Sequence, residues 1–379
     1  MKRIAYFPHD RLGDALVDAG QLPALRRIYR PCEITAFCTC ANRELFQELA
    51  WCDRVEVYGG EAWTSERGAA FGEFEAAFNT RYDRDAFERC MALKAKARYG
   101  YETCEVAEEL CRKGYTAYLP LSMWDDETRR WHTSVSEQGA ALVRLVDPGF
   151  HIDFPRLGLG NFRVDFPEDR PPWRDGRTVL FIPGAGAKEK RWPMERFLKL
   201  ARVVREAGWS VVFQTGPCEC KLGREAAAAG FAVCDTPTLA RMAGHMLLAR
   251  CVVGNDTGPM HLAAMLGAPT VTLYFHGSEG AWFPYGGDVR AGHVALSPGC
   301  SRARCMESCK HVASCRRKIA LETVEAALKG RGVIDAVLKR ETGGENDGKQ
   351  MQTISWGYGS CCPSCSPENG GCCQHCETI

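Results

Sequence analysis

Short apolar runs of strand length alternate with amphipathic runs of helix length along this chain, and that alternation constrains the fold more than any other feature. KRIAYF (2–7), CEITAFC (32–38), DRVEVYG (53–59), FEAAFNT (74–80) and YTAYLPL (115–121) read as strands. DALVDAGQLPALRRIY (14–29), NRELFQELAW (42–51) and VAEELCRKG (106–114) carry helical spacing, as do 62–75 and 84–96, and Pro23 marks a kink or restart. Strands separated by helices over short connections cannot pair as hairpins. They pair in parallel, with the helices covering the sheet faces.

The pattern stops at VDFPEDRPPWRDGR (164–177), which is rich in proline and charge, and then restarts. TVLFIPG, WSVVFQTG, FAVC, CVVG and TVTLYF are the strands of the second series. PMERFLKLARVVREAG, a segment near 219–229, TLARMAGHMLLA and GPMHLAAMLG are its helices. The expected organisation is an α/β domain over 1–165, a linker over 166–177, and a second α/β domain over 178–341. The second domain closes with LETVEAALKGRGVIDAVLKRE (321–341), a helix, a glycine break and a helix. Residues 342–379 read as a polar, glycine-rich linker and a cysteine-rich tail. Two such domains place a ligand cleft at the carboxyl ends of their strands.

Charge sets limits on partners. The 48 basic and 47 acidic side chains leave a net charge of +1, so no overall field draws the chain to nucleic acid. The N-terminus turns polar at Pro8–Arg11, too early for a signal peptide, and no apolar stretch reaches transmembrane length. The expectation is a cytoplasmic chain, with peripheral contact at an inner membrane left open. In a reducing compartment its 21 cysteines read as free thiols or metal ligands rather than disulfides.

Two loops carry the chemistry of the second domain. In VVGNDTGPMHLAAMLG (252–267) an apolar strand stops at Asn255–Pro259 and a helix carrying His261 begins. Pro259 suits a first helical turn, and Asp256 or Thr257 could cap it. The amides of Thr257 and Gly258 would then face outward with the positive end of the helix dipole, a seat for an anion. From these residues alone an ordinary capped turn with a core histidine is the commoner reading. The other loop is PGAGAKEKRW (183–192). It lacks the Walker pattern, and Glu189 stands where a dinucleotide fingerprint needs its third glycine. What remains is a small-residue loop, with Gly184 and Gly186, followed by Lys188, Lys190 and Arg191. Its amides can approach an anion, or it is simply a solvated basic loop.

Taken together, RLGDAL (11–16), PGAGAKEKRWPMERF (183–197), GNDTGPMHLAAMLGAPTVTLYF (254–275) and HGSEGAWFPYG (276–286) resemble glycosyltransferase family 9, the group that contains lipopolysaccharide heptosyltransferases. The resemblance covers about residues 1–330 and is strongest in the second domain. It implies a GT-B fold, two Rossmann-like domains with the active site in the cleft. It also implies inverting, metal-independent transfer from a nucleotide sugar, with ADP-heptose the expected donor. Asp14 would be the general base. Lys190 and the Thr257–Gly258 amides would meet the departing diphosphate. Asp256, His261, Glu219 and Ser278, with Gly184 and Gly186, match donor-site positions. Gly13 would let the chain turn tightly beside the acceptor. Arg11, like His9, could meet an anionic acceptor or simply be a solvated side chain. Trp282 could stack on the base or pack. The acceptor is expected to be a glycan such as lipopolysaccharide core, with a peptide as the alternative. A rival reading from another class is a non-catalytic metal or redox module on a transferase scaffold.

Cys300, Cys305, Cys309 and Cys315 lie within one short stretch, spaced C-x4-C-x3-C-x5-C. Four thiolates can close a structural zinc or iron site, with packed free thiols the alternative. CCPSC (361–365) and CCQHC (372–376), the latter holding His375, form a short pseudo-repeat. It reads as a metal-binding knob, a disulfide-stapled peptide or a fused peptide substrate.

Overall fold

The computed structural model describes residues 1–121, 134–151, 159–167, 176–216, 219–236, 238–275, 292–298 and 317–333, with a few isolated positions between them. They form two compact units, one built on Met1–Val164 and the other on Asp165–Gly277 with the segment from Gly292.

In the first unit the order is β1 (Lys2–Phe7), α1 (Leu12–Ala19), α2 (Leu22–Ile28), β2 (Cys32–Cys38), α3 (Arg43–Glu48), β3 (Arg54–Val57), α4 (Ser65–Ala70), β4 (Glu73–Asn79), α5 (Arg84–Ala92), β5 (Lys94–Glu102), α6 (Glu108–Gly114) and β6 (Ala117–Pro120). A two-strand antiparallel pair, β7 (Trp124–Asp125) and β8 (Arg130–Trp131), and helix α7 (Val135–Arg144) follow. The main sheet is six-stranded in the order β3-β2-β1-β4-β5-β6, and every neighbour is parallel. Beneath one face Phe7 stacks on Phe37 with ring centroids 4.9 Å apart, and Phe74, Phe87, Cys90 and Leu93 complete that core.

The second unit repeats the plan with β9 (Thr178–Ile182), α8 (Met194–Glu206), β10 (Ser210–Thr215), α9 (Cys220–Ala228), β11 (Ala232–Asp235), α10 (Leu239–Leu248), β12 (Cys251–Asn255), α11 (Gly258–Met265), β13 (Thr270–Leu273), β14 (His293–Leu296) and α12 (Leu321–Lys329). Its parallel sheet runs β11-β10-β9-β12-β13-β14. Phe213, Phe181, Val253 and Val271 are aligned across four strands. That row packs under α8 against Phe197 and Leu200, and the central strands β9, β12 and β13 are buried on both faces, whereas the edge strands β11 and β14 are partly exposed. Both units share one strand order, in which the winding direction reverses between the first and fourth strands. The crevice at that reversal is where a doubly wound sheet takes a ligand.

One expectation is corrected, one is refined, and one strand is added to the sheet. Residues 94–96, expected to be helical, open β5, because Leu93 is already extended and KAKARYGYE alternates with a period of two. The long first helix is two, α1 and α2, broken at Gly20–Gln21, and Pro23 sits in the first turn of α2. Strand β14 had no expectation at all; it joins the sheet edge, where Thr270 Oγ1 lies 2.7 Å from His293 Nδ1. The second helix expected within 321–341 falls mostly outside the described residues, which end at 333. Among the described residues no helix is long and apolar enough to cross a membrane.

Candidate functional site

At the reversal point of the second sheet, β9 and β12 end side by side and release the two loops singled out above. Asn255, the last residue of β12, is fully buried and binds the loops together. Its Nδ2 donates to the carbonyls of Pro183 at 2.7 Å and Gly184 at 3.3 Å, and its Oδ1 accepts from the Trp192 amide at 2.9 Å. The intervening hairpin is drawn tight where Arg191 donates twice to the Ala185 carbonyl. Lys188–Lys190 then form a single 3-10 turn.

That turn brings Lys190 Nζ to 3.2 Å from Asp256 Oδ2. Asp256 is buried, while the lysine side chain is about a quarter exposed, so the ammonium sits on the outer side of the carboxylate. His261, one turn into α11 and buried, holds Nε2 3.7 Å from Asp256 Oδ1. Asp256 is therefore flanked by Lys190 and His261. Thr257 occupies the N-cap position of α11, but its side chain makes no capping bond. The first amides of α11 have no acceptor within the helix, and Pro259 removes one donor in the first turn.

Glu219 reaches the same edge from the end of β10. Its Oε2 accepts the Gly216 amide at 3.0 Å, and its carboxylate packs so closely on Gly184 that a Cβ there would lie 1.7 Å from Oε1. A side chain at Gly184 would thus displace the Glu219 carboxylate. Gly186 faces open space. Gly254, which the sequence did not single out, lets α11 approach β9: a Cβ would sit 2.7 Å from Met260 Sδ and 2.9 Å from the Ile182 carbonyl. Asn255 was missed too, although an asparagine ending an apolar run before Asp-Thr-Gly-Pro was a readable sign of a buried polar anchor.

The equivalent edge of the first sheet holds a second polar group. Asp14 lies in the first turn of α1 at intermediate exposure, and Arg11 is an exposed N-cap without a capping bond. Gly13 is corrected: it is an ordinary helical residue of α1 rather than a turn. His9 is corrected as well, being buried, not solvated. Its Nδ1 lies 2.6 Å from Asp18 Oδ2, which also accepts the His9 amide at 3.0 Å and the Thr80 hydroxyl at 2.6 Å. Burial alone would lower the His9 pKa. The charge and hydrogen bond of Asp18, with Asp14 and Asp10 behind them, outweigh it and leave the imidazole raised above its ordinary value. Next to it Arg81, also buried, binds Asp83, Asp10 and the Tyr58 hydroxyl.

Ser278, Trp282, Cys300, Cys305, Cys309 and the tail cysteines lie outside the described residues. Cys315 is buried in the apolar core of the second unit. Among the described residues no group of metal-ligating side chains gathers.

Comparison with known proteins gives three kinds of likeness. Residues 161–311 match the model of glycosyltransferase family 9 (heptosyltransferase). A stretch of 111 residues is 35% identical to lipopolysaccharide heptosyltransferase 1 of Pseudomonas aeruginosa, covering 28% of this chain and 31% of that enzyme. The chain therefore spans about a third of the length of the curated relative it matches. In fold it is similar to ADP-heptose lipopolysaccharide heptosyltransferase II of E. coli, with a TM-score of 0.68 and 17% identity over 90% of this chain and all of that one. It is also similar to a family 9 glycosyl transferase of Veillonella parvula, with a TM-score of 0.69 and 18% identity over 88% and 98% of the two chains. The two parallel sheets are thus those of the GT-B heptosyltransferase fold.

Proposed function

We propose, for a chain whose residues 161–311 are a glycosyltransferase family 9 domain, that it moves heptose from ADP-heptose to a hydroxyl of a lipopolysaccharide core glycan, with inversion at the anomeric carbon. The observation that carries this reading is the convergence of Lys190, Asp256, His261 and the start of α11 at one sheet edge, with Glu219 beside them.

The chemistry follows from charge. The acceptor oxygen attacks the anomeric carbon, the bond to the diphosphate breaks, and the electron pair leaves with the diphosphate. Negative charge grows on that group and must be met by fixed positive charge in place. Lys190 supplies a full charge and the Thr257 and Gly258 amides a partial one. Asp256 keeps the ammonium at the edge before the donor arrives, and its outward position leaves Lys190 able to turn to phosphate. Glu219 offers carboxylate oxygens to ribose hydroxyls. Asp14 takes the proton from the acceptor. Gly184 and Gly186 let the loop approach the donor, Ser278 contacts it, and Arg11 and Gly13 border the acceptor. In this reaction the protein's own cation does the work for which other transferases use a metal. Cys300, Cys305, Cys309 and Cys315 would concern structure, as ligands of zinc or iron. The enzyme would act in the cytoplasm at the inner membrane face, where such a glycan is built.

The test is ADP release from ADP-heptose with heptose-free lipopolysaccharide as acceptor. Lys190→Ala should lower kcat/KM by about 10²–10³, the loss typical of one electrostatic donor at a developing anion. Asp14→Ala should keep donor binding while transfer falls about 10²-fold or more. A wild-type chain that neither binds nor consumes ADP-heptose would overturn the reading.

A further inference from the structure

The first unit holds a buried imidazole that the transfer scheme leaves unused. His9 follows β1 at the reversal point of its sheet, is 9% exposed, and has no hydrogen-bond partner at Nε2 among the described residues. Its Nδ1 faces an Asp18 oxygen that already accepts the His9 amide, so the proton of the neutral ring belongs on Nδ1. In that tautomer Nε2 is a buried lone pair without a donor, an arrangement that protonation changes into an N–H able to serve a carboxylate.

The surroundings favour that change. Asp14 and Asp18 are four residues apart in α1 and so share one helix face. Both act electrostatically on His9, with Asp10 from the intervening loop. From the β4 side come the Thr80 hydroxyl on Asp18 and the ring of Tyr82, set edge-on to the imidazole at 4.3 Å between centroids. Asn42 holds the His9 carbonyl at 2.6 Å, and Arg81 is occupied by Asp10 and Asp83. One imidazole therefore stands among three carboxylates, one of which is the proposed base.

We propose that His9, clamped to Asp18, is a positioning residue for Asp14, supplying as an imidazolium the counter-charge against which the Asp14 carboxylate is set for the acceptor hydroxyl. This rests on the transferase reading above. Transfer then needs Asp14 ionised and His9 protonated, so kcat against pH is bell-shaped. Its basic limb belongs to His9 and lies above the ordinary imidazole value.

The experiment measures kcat and donor KM across pH for wild type, Asp18→Asn and His9→Gln, using ADP-heptose and heptose-free lipopolysaccharide. Asp18→Asn should move the basic limb down by about one pH unit or more, the usual effect of losing an adjacent opposite charge. His9→Gln should remove that limb and lower kcat at least about tenfold, with the donor KM unchanged. A basic limb that stays in place in Asp18→Asn, or a His9→Gln enzyme with the wild-type profile, overturns the proposal. NMR titration of the His9 ring in the wild-type chain guards against variants that fail to fold, and a pKa at or below 6.5 overturns it too. A wild-type chain that does not bind ADP-heptose fails at the earlier step and overturns the transferase reading with it.

Discussion

At the scale of single residues, the candidate site depends on groups that touch no ligand in the proposed scheme. Asn255 is the clearest case. Replacing it with Ala would strand the Trp192 amide and the Pro183 carbonyl in the interior, and a buried polar group left unpaired costs about 1–3 kcal/mol. Asn255→Ala should therefore lower unfolding stability by about 2–4 kcal/mol, read by denaturant titration. It should also weaken ADP binding, because the loop carrying Lys190 loses its anchor. The two loop glycines make a sharper contrast. A methyl group at Gly184 collides with Glu219, whereas one at Gly186 meets nothing within 4 Å. Gly184→Ala should sharply reduce ADP affinity in calorimetric titration, and Gly186→Ala should leave the fold intact. Wild-type ADP affinity in Gly184→Ala would mean that Glu219 is not held as described.

At the scale of elements, most of the fold was legible because buried strands and amphipathic helices leave different periods in the sequence. The apolar runs at 178–182, 210–215 and 251–255 are all strands. Reading failed where local and tertiary signals conflict. KAKARYGYE is rich in residues that suit a helix, and its alternation, the one sign of β5, was overridden by them in the sequence reading. His9 was misread because a histidine between proline and aspartate resembles a solvated turn. Its partner Asp18 lies nine residues away, and only the packing of α1 against β1 brings the two together. Lys190 and Asp256 were legible as residues, but their ion pair spans 66 positions and no local rule predicts it. A related burial gives α10 a pH dependence. His245 is buried in that helix, where loss of water and the charge of Arg241 depress its pKa to about 4. The folded protein thus prefers neutral imidazole. The associated stability is full above the ordinary value near 6.5 and is lost as pH falls toward 4, by about 3 kcal/mol in all. His245→Leu should flatten the decline in melting temperature over that interval. His9 has the opposite sign: its contribution is full below 6.5 and fades as pH rises through its raised value.

At the scale of the whole molecule, the chain builds one architecture twice, and each copy has its own apolar core. The copies differ in what they place at the reversal point of the sheet. The first sets carboxylates and an imidazole there, suited to handling a proton. The second sets a lysine and a helix start, suited to holding an anion. If that division is correct, ADP alone should bind the second unit and stabilise it selectively. A ligand at a hundred times its Kd adds about 2.7 kcal/mol to the form that binds it. Hydrogen exchange with and without ADP should therefore show slowing of about 100-fold at slowly exchanging amides of Thr178–Ile182, Ser210–Thr215 and Cys251–Asn255. Amides of Lys2–Phe7 and Glu73–Asn79 should change little. Slowing confined to the first unit would reverse the assignment of donor and acceptor halves. Equal slowing in both would mean that the units open as one body, and that the donor is felt across the whole chain rather than by the sheet whose edge carries Lys190.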